Sequence, residues 1–115
     1  MPNRDQLAQR FSALADPTRL SIVETLAGGP KTVSDLAAPV AMKLPSFMQH
    51  LRLLEASGIV VTSKSGRVRT CWLDPAALDE VERWVGQRRR SWVDRLDGLE
   101  TFLSQANEGA KRKPK

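Results

Sequence analysis

This chain of 115 residues has one cysteine, one histidine and no tyrosine, and aromatic residues make up only 5% of it. The lone Cys71 cannot close an internal disulfide, and one cysteine falls far short of a zinc framework. A reducing compartment, the cytoplasm, is therefore expected. No apolar run approaches the ~20 residues that a membrane-crossing helix needs. The opening MPNRDQLAQR lacks the apolar stretch of a secretory signal, so no membrane partner is expected. There is no Gly-rich phosphate loop, no closely spaced Cys–His pair and no carboxylate cluster suited to a cavity. These absences argue against an enzyme, and neither catalytic residues nor a cofactor are expected.

What remains is an ordinary globular composition, 41% hydrophobic and 27% charged. A chain this short buries one modest core and leaves apolar surface for a partner subunit to cover. Eighteen Lys and Arg against 13 Asp and Glu give a net charge of +5. The excess is localised. Residues 43–70 carry Lys43, Arg52, Lys64, Arg67 and Arg69 against Glu55 alone, and the tail adds Lys111, Arg112, Lys113 and Lys115. Residues 75–108 are acidic on balance despite Arg88, Arg89 and Arg90, which read as the solvated face of a helix with acidic neighbours. Localised basicity points to a nucleic-acid or other acidic partner.

Periodicity divides the chain into elements. Leu7, Phe11 and Leu14 predict an amphipathic helix over 4–14. Asp16-Pro17 starts a second, with Leu20, Val23 and Leu26 inward and Gly28-Gly29-Pro30 as its stop. Thr32-Val33-Ser34-Asp35 resembles a capping box and opens a short third helix to about Ala38, broken by Pro39. Pro45 belongs to the first turn of a fourth helix that runs to about Ser57. On a helical wheel Leu44, Phe47, Met48, Leu51 and Leu54 cluster inward, while Ser46, Gln49 and Leu53 face away. Ile59–Thr62 and Arg67–Leu73 predict a hairpin with a basic tip, its turn at Lys64-Ser65-Gly66 with glycine at a positive φ. Asp74-Pro75 starts a long helix to about Ala106. Leu78, Val81, Val85, Arg88, Trp92, Leu96, Leu99, Leu103 and Ala106 step along it by three or four, a seam that asks for a partner.

The segments LADPTRLSIVETL (14–26), TVSDLA (32–37), MKLPSFMQHLRLLEASGIV (42–60) and SKSGRVRTCWLDP (63–75), in this order, resemble the ArsR/SmtB family of winged-helix repressors over roughly residues 5–105. The resemblance implies a mostly α fold with a small β-hairpin, a winged helix-turn-helix, dimeric through its N- and C-terminal helices. Residues 1–106 would form this DNA-binding and dimerisation domain, and 107–115 a basic, disordered tail. The function it implies is a bacterial homodimeric repressor that binds a partly palindromic double-stranded operator. Two departures bear on sensing and pose. Thr32-Val33-Ser34 stands where metal-sensing members carry a Cys-x-Cys pair, and the last helix has no histidine, so no metal site is expected. Ala41 and Lys43 replace a glycine and a serine cap that many members have; a left-handed Ala41 would be strained by about 1 kcal/mol.

The DNA-binding residues expected from the motif are Lys43, Ser46, Gln49, His50, Arg52, Lys64, Arg67 and Arg69. Ser46 and Gln49 would reach base edges, and the cations would reach phosphates. The alternative for each is solvated surface, and charged strands also guard sheet edges. Leu7, Phe11, Leu78, Val81, Val85, Trp92, Leu96, Leu99 and Leu103 are expected at the dimer interface, Trp84 and Trp92 being core or interface bulk rather than an inducer pocket. Cys71, among strand hydrophobics, reads as packing rather than a redox sensor. No inducer is legible. The competing readings are a winged-helix interaction module that does not bind DNA and a metal- or redox-responsive repressor with atypical ligands.

Overall fold

The computed structural model describes residues 3–112. Its elements are α1 (Arg4–Leu14), α2 (Pro17–Leu26), β1 (Lys31–Thr32), α3 (Val33–Ala37), α4 (Leu44–Ala56), β2 (Val60–Ser65), β3 (Val68–Leu73) and α5 (Pro75–Arg112). Short polar side chains start most of the helices. Asn3 accepts from the Asp5 amide, Asp16 from that of Arg19, Thr32 from that of Asp35 and Asp74 from that of Ala76, at 2.8, 3.0, 3.1 and 3.0 Å. Each bond satisfies a donor that the first helical turn leaves without a partner. Both Asp-Pro pairs begin a helix, as expected from the preset φ of proline. The strands form an antiparallel sheet in the order β1-β3-β2. β1 was not expected: two residues carry no periodicity, and Lys31 and Thr32 are extended because they pair with Cys71 and Thr70.

The chain divides into a unit ending at Val81 and one beginning at Glu82. The first unit holds the core, where Ile22, Leu26, Leu36, Phe47, Leu51, Leu54, Ile59, Val60, Cys71 and Ala77 are buried together. Each large side chain here contributes roughly 1.5–3 kcal/mol by leaving water. Two expected inward positions are corrected. Leu44 is 57% exposed and Leu20 is 44% exposed, with Ile22 buried in α2 instead. Leu44 is the first residue of α4, so no preceding turn covers it, although its angle on the wheel is favourable. The feared strain at Ala41 does not arise, since no described non-glycine residue has a positive φ. The segment turns instead through Val40 N–H to Ala37 O and Met42 N–H to Val40 O, 3.0 and 2.9 Å.

The hairpin turn lies one residue further along than expected. β2 and β3 pair from Val60↔Leu73 to Ser65↔Val68, leaving Gly66 and Arg67 as the two-residue loop. Gly66 has φ 61° and Arg67 does not share the positive region, the pattern of a II′ turn. The second unit is the remainder of α5. It continues past the expected end at Ala106 to Arg112, and the rest of the basic tail lies outside the described residues.

Candidate nucleic-acid interface

α4 turns Phe47, Leu51 and Leu54 into the core, which leaves Ser46, Gln49, Arg52 and Leu53 exposed on the opposite side. At its N-terminus Lys43 is exposed and makes no capping bond, so the first amides of α4 and a cation sit together in solvent. The two flanks of α4 face different neighbours. Met48 and Glu55 lie toward the hairpin, where a cleft is lined by Thr32, Ser34, Met48, Lys64, Arg67 and Arg69. Ser46, Gln49, His50, Arg52 and Leu53 line a second depression, completed by Arg19 of α2. Seven of the eight expected DNA-binding residues therefore fall into two groups on either side of one helix, and Lys43 stands at its end.

Within these groups the side chains are not equally free. Lys64 and Arg67 are exposed at the hairpin tip, and the II′ turn at Gly66 projects Arg67 outward. Arg69 is half-buried because it shares the inward face of β3 with Cys71. Its Nη1 lies 3.8 Å from Glu55 Oε1 and donates to Thr62 Oγ1 at 3.5 Å, so it ties the hairpin to α4 rather than reaching out as Arg67 does. His50 is also held internally. Arg19 Nη1 lies 3.0 Å from His50 Nδ1. Asp16 Oδ2 lies 3.6 Å from the same nitrogen.

Arg19 is the residue that the sequence did not single out. It donates to the Ala13 and Ser12 carbonyls at 2.6 and 3.3 Å as well as meeting His50, so it joins the end of α1 to α4. Its position three residues after Asp16 was the available signal. The Arg19 amide donates to the Asp16 carboxylate and, with the nearby charges of His50 and Arg19, lowers its pKa below the ordinary value against a smaller desolvation effect. Burial raises the pKa of the Cys71 thiol and the Glu55 carboxylate raises it further, against a lowering by the Arg69 guanidinium. Among the described residues no group of three or more His, Cys, Asp or Glu is placed to hold a metal.

The residues expected at a dimer interface separate by exposure. In the first unit Leu7 is already covered, at 6% exposure, while Phe11, Leu78 and Val81 are partly buried. Leu7 thus has little surface left for a partner. In the second unit Val85, Trp92, Leu96, Leu99 and Leu103 are all exposed, Trp92 by 61%. Trp84 carries the Arg88 guanidinium 4.9 Å from its ring centroid, and no described helix is long and apolar enough to cross a membrane.

Comparison with known proteins gives this arrangement relatives. A family model described as a helix-turn-helix domain matches residues 14–63. The HTH-type transcriptional regulator Rv2034 of Mycobacterium tuberculosis is 41% identical over 98 residues, 85% of this chain and 89% of that protein. A crystal structure of an ArsR family transcriptional regulator superposes with a TM-score of 0.75 at 46% identity, covering 79% of this chain and 94% of the other. A homodimeric winged helix-turn-helix DNA-binding domain from Mycobacterium bovis aligns with a TM-score of 0.58 at 26% identity, over 82% of this chain and 84% of that one. The chain belongs to the ArsR family of winged helix-turn-helix transcriptional regulators, which bind DNA and are not enzymes.

Proposed function

We propose that this protein is a homodimeric repressor that reads a partly palindromic operator with α4 and grips the flanking phosphates with its hairpin. The observation that carries the reading is the exposed ridge of α4, with Ser46, Gln49 and Arg52 outward and Lys64 and Arg67 on the hairpin beside it. Gln49 can offer an amide pair to adenine and Ser46 a hydroxyl to either groove partner. Lys43, Arg52, Lys64 and Arg67 supply the sequence-independent attraction. Two such ridges, related by a two-fold axis, would enter successive major grooves about 34 Å apart. The second copy is supported by the uncovered row Val85, Trp92, Leu96, Leu99 and Leu103 and by the homodimeric relative. Repression follows where such a site overlaps a promoter, in the cytoplasm where the operator is. The signal is of another kind than a thiolate-bound metal, since Thr32 and Ser34 offer only neutral hydroxyls.

Selection of bound duplexes from a random pool tests this reading. A two-fold consensus with half-sites one helical turn apart is expected. Equal retention of every duplex would overturn it.

A further inference from the structure

α1 carries an arginine where its pattern calls for an apolar residue. Leu7, Arg10 and Ala13 are the buried positions of α1, and Arg10 is only 6% exposed. Its Nε donates to the Ser57 carbonyl at 3.1 Å, and its Nη1 meets the Glu80 carboxylate. Ser57 is the residue that ends α4, and Glu80 lies in the second turn of α5. The guanidinium also packs against the backbone after α4: a Cβ built on Gly58, which has φ 80°, would stand 3.5 Å from Nη2. Ser57 itself is fully wired. Its hydroxyl donates to Leu54 O at 2.7 Å and accepts from the Ile59 amide at 3.3 Å.

A buried ion pair is a poor way to gain stability, because apolar residues of similar volume hold a fold together at least as well. What a guanidinium fork offers is direction. The apolar contacts of Phe47, Leu51 and Leu54 fix how deep α4 sits, but burial is non-directional and leaves a helix free to slide and tilt. Directional bonds hold α4 at its C-terminal end through Arg10 and at mid-helix through the contact of His50 with Arg19, while Lys43 makes no capping bond at the N-terminus. Ser46 and Gln49 project from the half nearer Lys43, roughly 12–16 Å along the axis from Ser57, so a tilt released at Ser57 is carried along the helix to where bases are met.

We propose that Arg10, acting with Glu80, is a positioning residue for DNA recognition: it fixes α4 by its C-terminal carbonyl to α1 and the start of α5. It never touches DNA and sets where Ser46 and Gln49 lie. This inference rests on the reading of α4 as the recognition helix.

The test replaces both partners by apolar residues, Arg10→Met with Glu80→Leu, in the full chain. The thermal midpoint is expected to hold or rise. Affinity for the duplex recovered by selection should fall at least tenfold, while affinity for a scrambled duplex and its salt dependence stay as they were. Amide chemical shifts of Ser46 and Gln49 should move without DNA present, which a merely local role would not cause. Should the double variant fail to fold, Glu80→Gln and Arg10→Lys serve: each is expected to stay folded and to lose about threefold in the ratio of selected to scrambled binding. A folded variant, double or single, that keeps both the wild-type ratio and the wild-type shifts at Ser46 and Gln49 overturns the inference. A wild-type protein with no duplex preference overturns the function proposed above, and the shifts then decide whether Arg10 positions α4.

Discussion

The unit ending at Val81 and the unit beginning at Glu82 use the same apolar alphabet to opposite ends. In the first, Phe47, Leu51, Leu54, Ile59 and Cys71 are shut away from water. In the second, Trp84, Val85, Trp92, Val93, Leu96, Leu99, Phe102 and Leu103 all remain exposed, Phe102 by 65%. The first arrangement is complete within one chain: α1, α2 and β2 pack against α4. The second is a single helix, which has no inside. A surface row of large side chains on a helix at seam spacing is the mark of a surface meant to be covered. The contrast separates what one chain needs to fold from the surface that the proposed second copy would cover.

Breaking the second unit should therefore have the larger functional effect. Replacing Leu96 and Leu99 by Glu puts two carboxylates into the exposed row. Sedimentation should show single subunits at micromolar concentration, and binding to the selected duplex should fall more than a hundredfold, since a lone subunit loses the second half-site. Breaking the first unit should act on stability instead. Leu51→Ala leaves a cavity at a fully buried site and is expected to cost about 2–5 kcal/mol by denaturant unfolding. Association should persist while the protein stays folded. If Leu51→Ala dissociated the folded protein, or the Glu pair unfolded it outright, the division of labour would be wrong.

A milder change sharpens the comparison inside the first unit. Arg67 projects from the hairpin tip and Arg69 is turned back to Glu55 and Thr62. Arg67→Glu should weaken binding to selected and scrambled duplexes alike, by about tenfold at ~0.1 M salt, and flatten the salt dependence by one phosphate contact or more. Arg69→Glu places an acid beside Glu55 and should also lower the thermal midpoint, whereas Arg67→Glu should not. Gln49→Ala should instead lose discrimination at one base position, worth about 1–3 kcal/mol.

How far the sequence foretold this follows the range of the forces involved. Both Asp-Pro starts, the helices over 4–14 and around Phe47–Leu54, and the positive φ at Gly66 were legible, because capping, proline geometry and glycine act within a few residues. β1 was not, since Lys31 and Thr32 take their shape from β3, some 40 residues away. The wheel placed Phe47, Leu51 and Leu54 correctly and misplaced Leu44, because it assigns an angle and not a depth. Ser46, Gln49, Lys64 and Arg67 could be named as exposed from pattern alone. That His50 and Arg69 are held by Arg19 and Glu55 could not, since those partners lie 31 and 14 residues distant and only the fold brings them together. Nor was the burial of Arg10 legible, since Ser57 and Glu80 lie 47 and 70 residues distant.

The smallest expected effect concerns the junction of α2 and α4. The Asp16 pKa is lowered chiefly by the bond from the Arg19 amide, with help from the charges of His50 and Arg19. A carboxylate whose pKa is lower folded than unfolded stabilises the fold above its unfolded pKa. That contribution is lost as pH falls through the folded value. Between pH 7 and about 5 the group stays ionised in both states and the thermal midpoint should not respond to it. Below pH ~4 the unfolded chain takes up the proton first, and the midpoint of the wild type should drop. Asp16→Asn keeps an oxygen for the Arg19 amide and removes the titration. Its midpoint should start slightly lower at neutral pH and fall less on acidification, so the two curves converge toward pH 3. Parallel curves would mean that Asp16 gains nothing from Arg19 and His50, and that α2 is joined to α4 by packing alone.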